Sequence, residues 1–207
     1  MTMISFDSLM PDDVQPASFS PFAHFGHLIA SCAPVFMGVK PAALVRLEAW
    51  EFIKLQALSS ICPIKMQPLD ILPRNQVFVY IPQLLEGAFR LPGALHVLRS
   101  IGYGGSDVEE YVRELVRRIH GAYRKKNLFP HEIGIFLGYP LEDVLGFWLF
   151  GGRNAKMEGE WKVYSDIERA KEIQYFHKEA VQTALTASRE GYTLEDIAKY
   201  FWNGNGG

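Results

Sequence analysis

The side chains best suited to chemistry flank one apolar run of this chain. His131 and Glu132 precede the run, and a carboxylate beside an imidazole can orient a general base. The alternative is a histidine that only bonds to the backbone where the run begins. Beyond the turn residue Gly138, Glu142 and Asp143 stand in the first turn of a predicted helix. These carboxylates either complement the helix dipole or together bind a cation or amine.

Cys32 and Lys40 suggest a nucleophilic thiol. A positive charge near a thiol lowers its pKa and favours the reactive thiolate. Nothing in the spacing of the two residues brings their side chains together, and the apolar neighbours of Cys32 favour a buried structural cysteine. The sequence therefore leaves a cysteine enzyme as an alternative and predicts an unreactive thiol.

His24 and His27 suggest a metal or haem site. Their spacing puts both imidazoles on one face of a predicted helix, with Cys32 nearby. A complete ligand set needs a third and a fourth group, which the surrounding sequence does not offer. Packing within an apolar helix is the favoured interpretation, and we expect no cofactor.

The elements that must position these residues can be predicted in outline. Residues 133–137 are apolar without alternation, which favours a strand buried on both faces, and Pro140 opens a helix over 141–150. A straight strand would hold His131 and Gly138 ~23 Å apart, so the two could not share one small site. Residues 161–164 alternate as a short strand, and Ser165 with Glu168 forms a predicted capping box.

The remaining pattern predicts an α+β fold, with a small mixed sheet flanked by helices in one compact domain. A helix over 22–31 ends before Pro34, residues 43–47 form either a strand or part of a helix, and residues 64–67 and 77–81 form a wide hairpin. We expect a flexible arm over 1–21, the domain over 22–202 and a disordered tail over 203–207.

Composition limits the setting. The 207 residues carry a formal net charge of −2, which does not favour nucleic acid. Residues 191–199 resemble the first helix of a helix-turn-helix, but the sequence given ends before a recognition helix, so we expect no DNA binding. Two cysteines without metal spacing fit a reducing compartment. The longest apolar stretch, residues 22–39, is too polar to span a bilayer, and the sequence predicts a cytoplasmic protein.

Three sequence blocks resemble an uncharacterised bacterial family, a domain of unknown function found mostly in anaerobes. The blocks are Cys32-Ala33-Pro34 with Lys40-Pro41, the run 130–147, and Gly159 with Trp161-Lys162-Val163-Tyr164. The resemblance covers residues 28–201 and implies one compact α+β domain in a bacterial cytoplasm. It implies no activity. Members of that family often carry a cysteine or another residue where this chain has Glu160, so the resemblance implies that any thiol role there is absent in this chain.

We therefore expect an accessory or binding protein for a small molecule or a protein partner. The favoured surface consists of Gly138, Tyr139, Glu142, Asp143, Trp161, Lys162 and Tyr164. The first alternative is an enzyme that uses Cys32 or His131, assisted by Lys40 or Glu132. The second is a metal- or haem-handling protein. The sequence does not specify the ligand, the partner or the oligomeric state.

Overall fold

The structure, a computed structural model, describes residues 22–69, 75–125 and 129–203. The predicted arm over 1–21 and residues 204–207 of the predicted tail lie outside these ranges. Among the described helices, none combines the length and the apolar character that crossing a membrane requires.

The described chain contains helices and short strands in mixed order. In chain order they are α1 (Phe22–Phe36), β1 (Ala42–Arg46), α2 (Ala49–Ala57) followed by a 3-10 turn (Leu58–Ser60), β2 (Lys65–Pro68), β3 (Gln76–Tyr80), α3 (Pro82–Phe89), α4 (Ala94–Ser100), α5 (Val108–Lys125), α6 (Ile133–Phe136), α7 (Leu141–Phe150), β4 (Met157–Glu158), β5 (Lys162–Val163), α8 (Ile167–Arg189) and α9 (Leu194–Asn203). The predicted α+β class is confirmed.

The main sheet has three strands in the order β1-β3-β2, and Tyr80 of β3 is opposite Ala42 on one side and Lys65 on the other. The predicted hairpin of β2 and β3 is confirmed, and the segment 43–47, left open between strand and helix, belongs mostly to β1. Every strand pair in the described ranges is antiparallel, including β4 with β5. The sequence predicted a sheet with both parallel and antiparallel pairs, and that detail is wrong.

The sheet separates two apolar cores, because successive side chains of a strand point to opposite faces. In β3, Val77 and Val79 enter one core, and Phe78 and Tyr80 enter the other. The first core is completed chiefly by α1, α8 and α9, and the second by helices from α3 to α7. Both faces of the sheet are therefore covered, as one compact α+β domain requires.

The predicted strand over 133–137 is wrong, because this segment forms the short helix α6. A short apolar run does not distinguish a buried strand from a buried helical turn. The backbone groups here are paired locally: the amide of Leu137 donates to Ile133 O (2.8 Å) and that of Tyr139 donates to Gly134 O (2.9 Å). The helical path also shortens the segment, so the ~23 Å separation expected of a straight strand between His131 and Gly138 does not apply.

Helix α1 does not stop before Pro34 but continues to Phe36. Proline lacks an amide hydrogen but tolerates helical dihedral angles, so it disturbs the helix locally without ending it here. The carbonyl of Pro34 accepts hydrogen bonds from the amides of Val39 and Lys40, both at 2.8 Å. The unusual proline thereby fixes the backbone of Lys40.

The predicted capping box of α8 is also wrong: Asp166 caps the helix by accepting from the Arg169 amide.

The burial of α6 leads to a prediction about stability. Ile135 is 3% exposed, so Ile135→Asp would place a charge in the second core without a partner. We expect a loss of about 4 kcal/mol or more in the free energy of unfolding, or loss of folded protein. Leu149→Asp is the matched control, because Leu149 is 78% exposed, and it should cost less than about 0.5 kcal/mol. Urea denaturation followed by circular dichroism measures both, and equal stabilities would contradict this placement of α6.

Candidate functional site

Asp143 anchors the segment that carries most of the site. It lies in the first turn of α7 and is 2% exposed. Its Oδ1 accepts from the amides of Tyr164 and Ser165 and from the Ser165 hydroxyl, each at 2.8 Å, and its Oδ2 accepts from Trp161 Nε1 at 2.8 Å. Both oxygens are occupied by donors of the chain itself. The structure thus gives Asp143 an anchoring role, whereas its neighbour Glu142 is exposed.

The three sequence blocks meet beside this anchor. Gly138 has a φ of 79°, and a Cβ there would lie 2.7 Å from the ring of Pro41, so only glycine allows this close approach. The next residue, Tyr139, stacks on Trp161 with ring centroids 4.7 Å apart. Lys40 Nζ lies over the Tyr139 ring, 5.3 Å from its centroid. Residues distant in the chain are therefore brought together by packing.

At this junction, one carboxylate is held by two basic side chains. Lys40 Nζ donates to Glu160 Oε1, and His177 Nδ1 lies 2.6 Å from Glu160 Oε2. The side chains of Lys40 and His177 are only 10% and 9% exposed, whereas that of Glu160 is 32% exposed. The two basic groups are thus largely enclosed, and the carboxylate between them still reaches solvent.

The environment of Glu160 changes its acidity. Burial alone would raise the pKa of this carboxyl, but the hydrogen bond from His177 and the charge of Lys40 outweigh it and lower the pKa to about 2. Burial, with the nearby Glu160 charge, raises the pKa of Tyr139 above its ordinary value. At neutral pH the junction thus holds an ionised carboxylate beside a neutral phenol.

A cavity of about 490 Å³ opens beside these groups, between α1 and α8. We call it the α1–α8 cavity. Its lining residues are Ala30, Ser31, Pro34, Val35, Lys40, Ala43, Gly159, Glu160, Gln174, His177, Lys178, Val181 and Gln182. Gln174 is 7% exposed, and its side-chain nitrogen has no hydrogen-bond partner among the described residues. The cavity thus combines apolar helix surface with a few polar groups.

Two more cavities adjoin the same carboxylate. One, of about 330 Å³, is lined by His131, Tyr139, Asp143, Phe147, Trp161 and Lys162 together with Glu160. Another, of about 470 Å³, extends from Lys40 and Glu160 along β1 and includes His27. Glu160 therefore lies where three cavities meet. The predicted strand would have kept His131 far from the turn after Gly138. In the structure, His131 and Tyr139 line the same cavity, that of about 330 Å³.

Other predicted ligand-binding residues have packing roles in the structure. The Tyr164 ring stacks on Phe150 at 5.6 Å, and its hydroxyl has no partner among the described residues. The side chain of Lys162 donates to the carbonyl of Gly152 and pairs with Glu158 at 3.0 Å. Lys162 thus closes the small hairpin of β4 and β5 and also borders the 330 Å³ cavity.

The predicted catalytic candidates are dispersed. Cys32 is fully buried in the first core, and burial, with a smaller contribution from Glu51, raises the pKa of its thiol. Glu132 accepts hydrogen bonds from Tyr103 (3.1 Å) and Arg118 (3.4 Å), whereas the His131 ring packs against Phe147. His131 and Glu132 therefore contact different groups and do not form the predicted pair of imidazole and carboxylate. Cys32 is absent from the lining of these three cavities.

The possible metal ligands can be placed only in part. His27 Nδ1 lies 2.8 Å from Glu51 Oε1, and the side chain of His24 lies outside the described residues. Within the described ranges there is no group of three or more His, Cys, Asp or Glu side chains arranged to hold a metal ion.

Sequence reasoning missed the polar groups of α8. Gln174 and His177 are three residues apart and both buried, on the same helix face as Ala170, Ala180 and Ala184. Polar residues that interrupt a stripe of small apolar residues are the pattern that could have identified them. The carboxylate that His177 contacts, Glu160, comes from a separate hairpin, and no local pattern indicates that contact.

The anchoring role of Asp143 can be tested by Asp143→Asn. The substitution keeps the shape but removes the charge from four hydrogen bonds, and we expect a loss of about 3 kcal/mol in the free energy of unfolding. Glu142→Gln, at the exposed neighbour, should change it by less than about 0.5 kcal/mol. Urea denaturation compares the two variants, and similar losses would contradict the assignment of the anchor to Asp143.

The lowered pKa of Glu160 predicts a pH-dependent contribution to stability. Because the pKa in the folded state, about 2, lies below the ordinary value of 4.5, ionised Glu160 stabilises the fold fully above that ordinary value. The contribution falls as the pH drops from about 4.5 towards 2. Wild type should exceed Glu160→Gln by about 2 kcal/mol at neutral pH, and the difference should narrow over that acid range. Urea denaturation at a series of pH values measures it; a difference that stays constant into acid would contradict the prediction.

Comparison with known proteins supports a family but no activity. The comparisons with curated proteins and with solved structures give no match. A family model described as "Protein of unknown function (DUF3793)" matches residues 28–198, which is most of the chain and includes all three blocks. This match confirms the resemblance to a family of unknown function. The chain belongs to the DUF3793 family.

Proposed function

We propose that the protein binds a small organic ligand in the α1–α8 cavity. The observation that carries this proposal is the group of Lys40, Glu160 and His177, in which two largely enclosed basic side chains hold a partly exposed carboxylate at the edge of the cavity. A volume of about 490 Å³ lies within the range typical of small-molecule sites. Such sites also share this composition, with apolar walls and a few convergent polar side chains.

The energetics of the group support a functional role. An enclosed ion pair is costly to desolvate, and apolar residues of similar size often give an equal or greater stability. Gln174 adds the cost of a buried amide that has no partner in the described part of the chain. Polar and charged groups that are costly to bury, yet stand together at a cavity, are typical of binding and catalytic sites.

An enzyme is the second candidate, and one specific contact favours it. His177 Nδ1 lies 2.6 Å from Glu160 Oε2, an arrangement in which a carboxylate orients an imidazole as a general base. The buried thiol of Cys32, whose pKa is raised, suits a structural role better than a nucleophilic one. The enzyme hypothesis therefore rests more firmly on His177 than on Cys32.

The cellular setting is part of the same proposal. Cys32 and Cys62 are both free and buried, which is compatible with a reducing compartment. We propose that the protein acts in the cytoplasm and that its ligand is a small molecule available there.

Filling the cavity tests the proposal. Ala30 lies at the exposed rim of the α1–α8 cavity, so Ala30→Trp adds an indole that occupies the space. We expect wild type to bind members of a library of small carboxylic acids, amines, sugars and nucleosides in saturation-transfer NMR. Binding to Ala30→Trp should weaken by about tenfold or more, because the ligand would have to displace the indole.

Ala57→Trp provides the matched control. Ala57 is an exposed alanine at the end of α2 and is absent from the lining of the α1–α8 cavity. It should bind the library members as wild type does, with both variants showing the wild-type circular dichroism spectrum. Ligands that bind equally to all three proteins, or a library from which wild type binds nothing, would refute the proposal.

A further inference from the structure

We infer that the ligand of the α1–α8 cavity is a small carboxylate that takes the place of the Glu160 carboxylate between Lys40 and His177. The inference rests on the proposed function and names the ligand class for the same site. It follows from what these two basic side chains already hold, from how Glu160 is mounted, and from the remaining groups of the cavity.

Lys40 and His177 already hold a carboxylate. The ammonium of Lys40 donates to one oxygen of Glu160, and the imidazole of His177 contacts the other at 2.6 Å. Such charge-assisted contacts to both oxygens are how proteins bind the carboxylate of a ligand. Glu160 thus shows that Lys40 and His177 together can bind a carboxylate.

Glu160 is placed so that its side chain can leave while the hairpin that carries it stays anchored. It stands between β4 and β5, in a turn closed by the hydrogen bond from Gly159 N to Trp161 O (3.1 Å), and its side chain is 32% exposed. Asp143 holds the hairpin backbone through Trp161 and the residues after β5. When the partly exposed side chain of Glu160 rotates away, the position between Lys40 and His177 becomes free, and the hairpin stays anchored.

The rest of the cavity favours an anion with a short apolar body. At the rim, Lys178 is exposed and has no ion-pair partner among the described residues. The two positive charges of Lys40 and Lys178 exceed the one negative charge of Glu160, the single carboxylate among the lining residues of the cavity. An anionic ligand therefore meets a net positive charge. Pro34, Val35 and Val181 supply apolar wall for a chain of a few carbons.

Replacing the resident carboxylate tests the inference. In Glu160→Ala, sodium propionate should bind at least about tenfold more tightly than in wild type, because no tethered group competes for Lys40 and His177. Propionate should also raise the thermal unfolding midpoint of Glu160→Ala by more than it raises that of wild type. Sodium chloride at equal ionic strength should not produce this rise. Glu160→Gln, which keeps the volume but not the charge, should show the same order of affinities and serves if Glu160→Ala does not fold.

Glu158→Ala is the matched control for the hairpin. It removes another carboxylate that pairs with a lysine, Lys162, but one that does not line the α1–α8 cavity. Its response to propionate should equal that of wild type. Equal propionate affinity in wild type and the Glu160 variants would overturn the inference, as would equally strong binding of phosphate, which would indicate a site for any anion.

The outcomes also separate this inference from the proposed function. If Ala30→Trp abolishes the binding of library members but propionate does not favour the Glu160 variants, the cavity binds ligands and the carboxylate class is wrong. If wild type binds no member of the library, the proposed function fails and the inference fails with it.

Discussion

The site depends on one buried carboxylate, that of Asp143. It accepts four hydrogen bonds from a short stretch of chain between Trp161 and Ser165 and ties this stretch to the first turn of α7. A hairpin with strands of two residues each is too small to hold its own shape in water. The anchor fixes Trp161, whose ring supports Tyr139. The adjacent Glu160 is thereby presented to donors from two other parts of the chain.

Those donors are far apart in the sequence, and the packing of α1 against β1 and α8 explains how they meet. Lys40 precedes β1, the edge strand beside α1, and the carbonyl of Pro34 holds its amide. His177 lies in α8, which packs along α1 in the first core. The donors therefore meet beside the first core, where α1 contacts both α8 and β1. A backbone fixed on each side makes the Lys40–Glu160–His177 arrangement geometrically defined rather than a chance contact of long surface side chains.

The sequence predicted elements whose cause is local and failed where distant contacts decide. The bounds of α7 follow from Pro140 and Gly151, and the hairpin of β2 and β3 follows from its apolar pattern. The run 133–137 was predicted as a strand because apolar residues in a short segment fit either structure. In the structure it is a helical turn whose Gly134 lies close against Val144 of α7, a contact that the sequence does not indicate. Tyr139, Trp161 and Lys40 were identified from sequence, but their convergence on Glu160 and His177 depends on tertiary structure.

Catalysis by His177 and binding of a carboxylate ligand make opposite demands on Glu160. A general base needs the carboxylate to stay on His177, because that contact orients the imidazole and stabilises its charged form. A carboxylate ligand that takes this position removes Glu160 from His177 and occupies the same nitrogen itself. The base in the enzyme hypothesis is the other ring nitrogen, Nε2, so a ligand at Nδ1 takes over the position of the orienting carboxylate and not that of a substrate. Displacement by a carboxylate ligand therefore requires Glu160 to move, whereas an enzyme of this design requires it to remain.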